Sequence, residues 1–380
     1  MRIGLSLAAL ANAGGIGRYV RILAKNLPVI FPEHDYFGYI PKFRANEVRD
    51  ILEQENIEGW KPVGVDGANR WAYENAGLAT AIKDNPVDVF HGPDYLVPME
   101  IVPMCVTVHD LAFKLHPKGM AWKSRLLFST GARASVRRAT RSGVVFADSQ
   151  STLNDLRKLK WLPKDKGRVV YLCCEDEFRI KPEHEKIEEV LSKHRITGNY
   201  ILYAGPVEFR KNIKTLIDAY LVVVKVLQKK SIPLPTLVAT GPLGAGGEKI
   251  LADAEKSGGL FFRHLGYVAR EELIALYHGC DFFCYPSRYE GFGLPPLEAM
   301  TAGKPVIVSN ASSLPEVVGD AGILVDPDDT QGWSEAIVRL VSGDGLRQEM
   351  SVKSLEQAGR FSTEKMCGEV MDGYISAVKV

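Results

Sequence analysis

The sequence predicts an α/β protein made of two doubly wound domains, and three observations carry that expectation. Short apolar runs alternate with amphipathic segments over nearly the whole chain, the pattern of parallel strands covered by helices. At 380 residues the chain exceeds the length over which one hydrophobic core keeps growing. The apolar runs also fall into two series, separated by Glu175 to Thr197, which is charged, contains Pro182 and has no long apolar run. A junction near residue 176 follows, with domains at 1–176 and 177–360.

In the first series the strand candidates are Arg2 to Leu7, Tyr36 to Ile40, Val87 to His91, Met104 to Val108, Gly143 to Ala147 and Arg168 to Leu172. Amphipathic segments such as Gly17 to Leu27 and Ser151 to Leu159 lie between some of them. The second series runs through Tyr200 to Ala204, Thr236 to Thr240, Leu260 to Leu265, Asp281 to Tyr285, Pro305 to Ser309 and Gly322 to Val325. At the end, Met366, Val370, Met371, Tyr374 and Val378 recur at helical spacing, so this tail is expected to dock on a body. No fixed repeat period or low-complexity tract is visible, which disfavours a solenoid or propeller.

Composition excludes several classes. A 46% hydrophobic and 24% charged chain is neither disordered nor fibrous. Forty-seven basic against 46 acidic residues leave a formal charge of +1, so no global field draws in nucleic acid. The six cysteines form no CxxC pair and read as reduced, buried thiols. The apolar start, MRIGLSLAALANAGG, reads as a first core strand and loop instead of a signal peptide. No stretch approaches the roughly 20 apolar residues that span a bilayer. A cytoplasmic protein, at most attached to the inner face of the membrane, is expected.

The densest chemical signal is Glu290-Gly-Phe-Gly-Leu-Pro-Pro-Leu-Glu298, which follows one strand candidate and opens a short helix. Gly291 and Gly293 allow close backbone approach to a ligand, and Pro295 and Pro296 suit a first helical turn, whose amides have no intrahelical partner. That helix end favours an anion. The two carboxylates, one in the loop and one expected in the first turn, do not suit a diphosphate. They do suit vicinal sugar hydroxyls, because an ionised carboxylate accepts two hydrogen bonds.

This segment resembles the E-x7-E motif of the retaining glycosyltransferases of family 4, which have the GT-B fold. Ser287 to Met300 is a close match, and Gly14-Gly-Ile-Gly-Arg18, Val108-His-Asp110, Ala147-Asp-Ser149, Arg210-Lys-Asn212 and Gly266-Tyr-Val268 occur in the family's order. The resemblance implies two Rossmann-like domains facing across a cleft, the first binding acceptor, the second binding nucleotide sugar, with helix 361–380 returning to the first. It implies hexosyl transfer with retention of configuration, from GDP-mannose or a UDP-hexose, to a saccharide, lipid-linked or small-molecule acceptor.

By that resemblance Glu290 holds the donor sugar, Glu298 the ribose diol, and Arg210, Lys211 and the amides of Gly291, Phe292, Gly293 and Leu294 the diphosphate. Tyr267 and Val268 pack near the base, Gly15 lines the phosphate side, Gly241 lies near the nucleotide and His109 faces the donor sugar. Two cations and a helix end leave no requirement for a metal, and no cofactor is implied. Departures occur at Pro206, where the family often has arginine, and at Cys173 and Cys174, where it usually has asparagine and glycine.

Other enzyme classes fit less well. A nicotinamide-dependent oxidoreductase needs GxGxxG, but the third glycine would fall on Val20. A phosphate-loop hydrolase would need lysine where Gly247 stands. A non-catalytic sugar-nucleotide binder remains distinguishable only by assay. Lys114 to Arg141 carries eight basic and no acidic residues, with Trp122, Leu126, Leu127 and Phe128 interleaved, so it can meet anionic lipid or a lipid-diphosphate acceptor.

Overall fold

The structure is a computed structural model that describes residues 1–12, 14–99, 101–117, 122–258 and 262–379. Leu260 and Phe261 of the expected third strand of the second series, and residues 118–121 of the basic stretch, lie outside the described residues. The chain divides into two compact units. One comprises Met1–Leu115, Met120–Leu172 and Ser362–Val380; the other comprises His116–Gly119 and Cys173–Phe361.

The first unit holds a seven-stranded sheet of β1 (Arg2–Ser6), β2 (Asp35–Pro41), β3 (Trp60–Val65), β4 (Val89–Gly92), β5 (Met104–Val108), β6 (Val144–Ala147) and β7 (Arg168–Val169). The order is β3-β2-β1-β4-β5-β6-β7 and every pairing is parallel. Central strands such as β5 are buried along their whole length, as expected when helices cover both faces, and this makes them readable as continuous apolar runs.

Edge strands depart from the sequence reading. β3 (WKPVGV) was not anticipated, because it is an edge strand exposed at Lys61, Pro62 and Gly64. At the opposite edge the expected run Arg168 to Leu172 pairs only over Arg168–Val169, with one further bond from Val170 N–H to the Ala147 carbonyl.

The C-terminal helix Thr363–Val378 packs in this unit and buries Met366, Cys367, Val370, Met371, Gly373, Tyr374 and Ala377. A Cβ on Gly373 would lie 2.3 Å from the Phe146 ring, so only glycine lets the helix approach β6 this closely. The Tyr374 hydroxyl is hydrogen-bonded to His91 Nδ1 at 2.7 Å. Val378, at the helix end, is partly exposed.

The second unit repeats the plan with β8 (Tyr200–Ala204), β9 (Thr236–Thr240), β10 (Phe262–His264), β11 (Phe282–Tyr285), β12 (Val306–Ser309) and β13 (Gly322–Val325). Its parallel order is β10-β9-β8-β11-β12-β13. Charged residues after Glu175 belong to this unit and form the helix His184–Lys193. Both sheets reverse their winding beside the first strand, between β1 and β4 and between β8 and β11. Doubly wound sheets bind ligands beyond the carboxyl ends of strands at such a reversal.

Candidate active site

The two loops that leave β8 and β11 flank the reversal point of the second sheet. They are fastened to each other. Arg288 N–H donates to the Arg210 carbonyl at 2.9 Å, the Ser287 hydroxyl donates to the same carbonyl at 3.3 Å, and Arg210 NH1 donates to the Tyr289 carbonyl at 2.9 Å. Asn212 ends the first loop in the left-handed region (φ 56°), a conformation asparagine tolerates, and precedes the helix Ile213–Lys229. Its side-chain oxygen accepts from Thr215 Oγ1 at 2.8 Å and from Arg288.

Between these loops lies a buried cluster of charge. Lys211 Nζ donates to Glu290 Oε1 at 2.7 Å and Oε2 at 2.9 Å, and to the Tyr285 hydroxyl at 2.8 Å. Arg210 stands 3.5 Å from Glu290 and pairs with Glu208 at 2.9 Å. Burial pushes the Glu290 carboxyl up, but Lys211 and then Arg210 overcome it and hold the group below its ordinary range. Burial draws Lys211 down against the opposing pull of Glu290. Tyr285 is fully buried and stacks on Tyr203, with ring centroids 5.8 Å apart.

The Glu290 loop is held from the next strand over. Ser312, in the left-handed region at φ 55°, donates its hydroxyl to the Glu290 carbonyl at 2.5 Å, and Ser313 donates to the Phe292 carbonyl at 2.5 Å. Gly293 adopts φ +125°, and a Cβ there would sit 2.9 Å from Leu314 Cδ2. The helix Leu294–Thr301 then begins, with proline in its first turn as anticipated.

Glu298 departs from the expected position. It is the fifth residue of that helix, in the second turn, because the helix starts at Leu294 and its first turn contains no acidic residue. The residue is 3% exposed and its carboxylate accepts the Tyr277 hydroxyl at 2.7 Å. A glutamate whose purpose is to complement a helix dipole has no need of burial or of a tyrosine partner.

Three glycine turns join the ends of β8, β9 and β10. Gly241 (φ +128°) donates its N–H to the Gly266 carbonyl at 2.8 Å, and a Cβ on Gly241 would fall 2.3 Å from the Gly205 carbonyl oxygen. Tyr267 and Val268 follow Gly266, and Tyr267 is 79% exposed. Tyr267, Gly241, Arg210, Lys211 and the Glu290–Glu298 segment thus all belong to loops or helix starts at the carboxyl ends of this sheet.

In the first unit Gly15 opens the helix Gly15–Ile30 directly after Gly14. Gly17 is sterically demanded, since a Cβ would lie 1.9 Å from the Asn12 carbonyl oxygen. His109 follows β5 and is buried, with Nδ1 2.7 Å from Asp148 Oδ2 and Nε2 2.7 Å from the Pro93 carbonyl. A carbonyl only accepts, so Nε2 carries a proton. Burial opposes charge on the ring, but Asp148, then Asp94 and the Pro93 carbonyl, raise its pKa to about 9. Both ring nitrogens are thus engaged, and Asp148, whose own pKa burial pushes up, favours the protonated ring.

His91 differs. Its nitrogens meet Tyr374 and Thr107, and Thr107 also bonds Tyr19, at 2.7, 2.8 and 2.9 Å respectively. Burial, with His109 nearby, pulls its pKa down to about 3, so it is a neutral core histidine.

The basic stretch from Trp122 onward lies in the helix Trp122–Ser142. Trp122, Leu126, Leu127, Arg133, Arg137 and Arg141 are exposed. Arg138, one residue after Arg137, does not share that exposure. Instead it turns inward, donating to the Val97 carbonyl at 2.9 Å and lining a groove of about 610 Å³ with Trp71 and Leu127.

Glu208, Tyr277, Tyr285, Ser312 and Ser313 received no role from the sequence. Tyr285, Ser312 and Ser313 have a detectable signal, since each sits at or just after the carboxyl end of a strand in the second series.

Comparisons with known proteins find relatives for both halves of the chain. Residues 13–178 match the family model Glycosyltransferase Family 4, and residues 186–357 match Glycosyl transferases group 1. O-antigen chain mannosyltransferase B of Escherichia coli is 31% identical over 305 residues, covering 78% of this chain and 76% of that protein. The serotype-specific mannosyltransferase WbdA of Escherichia coli is 32% identical over 354 residues, covering 86% of this chain but 42% of the relative. Among solved structures, Anabaena HepE in complex with UDP and glucose superposes with a TM-score of 0.74 at 18% identity, over 99% of this chain and 100% of that one. WaaG, a glycosyltransferase involved in lipopolysaccharide biosynthesis, gives 0.69 at 17% identity, over 97% and 98%. With the motifs in order, both halves matched and two parallel α/β sheets in place, the chain belongs to the family 4 glycosyltransferases of the GT-B fold.

Proposed function

We propose that the chain transfers a hexose, with mannose favoured over other sugars, from a nucleoside-diphosphate donor to a saccharide or lipid-linked acceptor, with retention of configuration and without a divalent metal. The observation that carries this reading is the pairing of a buried Lys211 and Arg210 with Glu290 at the sheet reversal, with Glu298 in the helix that follows. Cations there offset a diphosphate, and carboxylates accept from hydroxyls. GDP-mannose is favoured because both Escherichia coli relatives are named mannosyltransferases; a UDP-hexose is the second donor class, since HepE was solved with UDP and glucose.

The second unit takes the donor and the first unit the acceptor. Lys211 and Arg210 neutralise the diphosphate while the bond from the sugar's anomeric carbon to the phosphate oxygen breaks. That oxygen takes the proton of the incoming acceptor hydroxyl, whose oxygen bonds the anomeric carbon from the same face. Glu290 holds the sugar hydroxyls and Glu298 the ribose diol. Tyr267 and Val268 border the base, and His109 is assigned to the donor sugar by the family resemblance. With two protein cations at the phosphates, no metal ion is needed to stabilise the leaving group.

No helix among the described residues is long and apolar enough to cross a membrane. The exposed Trp122, Leu126, Leu127, Arg133, Arg137 and Arg141 suit contact with an anionic membrane face on the cytoplasmic side, where a lipid-linked acceptor is presented.

The test is a transfer assay with GDP-mannose, UDP-glucose and UDP-galactose. The expected result is acceptor-dependent release of one nucleoside diphosphate and a product of unchanged anomeric configuration by NMR. Binding of donors with no transfer to any saccharide or lipid-linked acceptor would mean a non-catalytic sugar-nucleotide binder.

A further inference from the structure

The occupied state of Lys211 has a consequence for donor binding and product release. An ammonium has three N–H donors. Here they face three oxygens: Tyr285 Oη at 2.8 Å, and Glu290 Oε1 and Oε2 at 2.7 and 2.9 Å. The site that suits a diphosphate is therefore already filled by an anion of the protein's own. Arg210 is engaged in the same way, with Glu290 at 3.5 Å and Glu208 at 2.9 Å.

We propose that Glu290 competes with the donor's diphosphate for Lys211, leaving the ammonium when a sugar is present to receive its carboxylate and returning to it when the sugar has gone. This rests on the reading that Lys211 and Arg210 take the diphosphate. Two anions on one buried cation repel, so either the phosphate or the carboxylate must yield.

Tyr285 decides which group moves. It is fully buried, stacks on Tyr203, and lies under the Gly205 turn, where a Cβ would come within 3.4 Å of its ring. Its hydroxyl therefore holds the ammonium from one side, and the Glu290 carboxylate, carried on rotatable side-chain bonds from the loop after β11, is the partner that turns away. The carboxylate cannot move into an apolar gap, because burying an unpaired charge is costly. Hydroxyls of a bound sugar supply the replacement donors. A nucleoside diphosphate without the hexose has only its ribose hydroxyls, which Glu298 takes, so Glu290 has nowhere else to go and opposes it. The product is thereby bound more weakly than the donor, and its release is assisted.

The experiment measures binding of GDP and of UDP, each without sugar, by calorimetry to the wild type and to Glu290→Gln, which keeps the shape and removes the charge. The proposal expects the better of the two nucleotides to bind Glu290→Gln at least about tenfold more tightly than wild type, although the same variant loses transfer activity. Glu290→Asp keeps the charge but shortens the arm, so it should tighten the nucleotide by a smaller factor; it also serves if the glutamine variant does not fold. Unchanged or weaker nucleotide binding in a folded Glu290 variant overturns the proposal. Lys211→Ala separates the two levels: if it leaves nucleotide affinity unaltered, the diphosphate is not at Lys211 and the underlying reading fails. If Lys211→Ala weakens binding while Glu290→Gln does not tighten it, the site stands and the competition does not.

Discussion

The Tyr277 hydroxyl, from the helix Arg270–Gly279, donates to Glu298 Oε2 at 2.7 Å and aims a buried carboxylate that lies a full turn inside its own helix. A single carboxylate can accept from both hydroxyls of a ribose. Each charge-assisted bond contributes on the order of 1.5 to 3 kcal/mol, so a 2′-deoxy donor is expected to bind the wild type about tenfold or more weakly. In Glu298→Ala that difference should nearly vanish, and in Tyr277→Phe it should shrink. A double cycle on protein and donor isolates the contact from general damage to the helix, and equal discrimination in wild type and Glu298→Ala would remove the ribose from Glu298.

Lys211 is expected to stabilise the departing diphosphate, so Lys211→Ala should lose at least about 2 kcal/mol of transition-state stabilisation, a factor near 30 in kcat/KM. Activity of the wild type should survive EDTA. Unchanged kcat/KM in a folded variant rules out the role of the lysine, and complete loss on chelation with recovery on magnesium or manganese rules out a metal-free site.

The His109 and Asp148 pair makes a pH-dependent contribution to stability. The folded-state pKa of His109 is raised to about 9, from an ordinary value near 6.5. A group raised in this way stabilises the fold fully below its unfolded pKa, and that contribution is lost as pH rises through the folded value. The melting temperature should therefore fall between about pH 6.5 and 9. Asp148→Asn removes the partner charge and should flatten the decline. An identical slope in wild type and variant across that window would show that the ring does not carry the proton in the folded state.

Arg133, Arg137 and Arg141 are exposed on the helix that also exposes Trp122, Leu126 and Leu127, whereas Arg138 is tied to Val97. Replacing the three exposed arginines with glutamate should weaken sedimentation with phosphatidylglycerol vesicles severalfold at low salt, where screening is least. Wild type that fails to bind those vesicles at low salt refutes peripheral attachment.

Most of the fold was legible because central parallel strands are buried on both faces and so appear as unbroken apolar runs. β5 and β8 are such runs, and every residue of each is buried. The edges were less legible: β3 presents Lys61, Pro62 and Gly64 to solvent, so neither a run nor an alternation marks it. For the candidate site, glycine, proline and paired carboxylates at a strand end were readable from local chemistry. Partners contributed by distant segments were not. Nothing near Glu298 in sequence points to Tyr277, and nothing near His109 reveals that Asp148, 39 residues on, would bond its ring.

The bond between His91 and Tyr374 spans 283 residues, and the helix that provides Tyr374 is separated from the rest of its unit by the whole of Cys173–Phe361. The second unit is thus an insertion within the first. During synthesis from the N-terminus, all of its strands emerge before the helix Thr363–Val378, so it can close while the first unit still lacks a wall. Until that helix arrives, His91 has no Tyr374 and the face of β4, β5 and β6 that the helix covers stays open to water. The half that begins first in the chain is thus completed only after the whole of Cys173–Phe361 has been made.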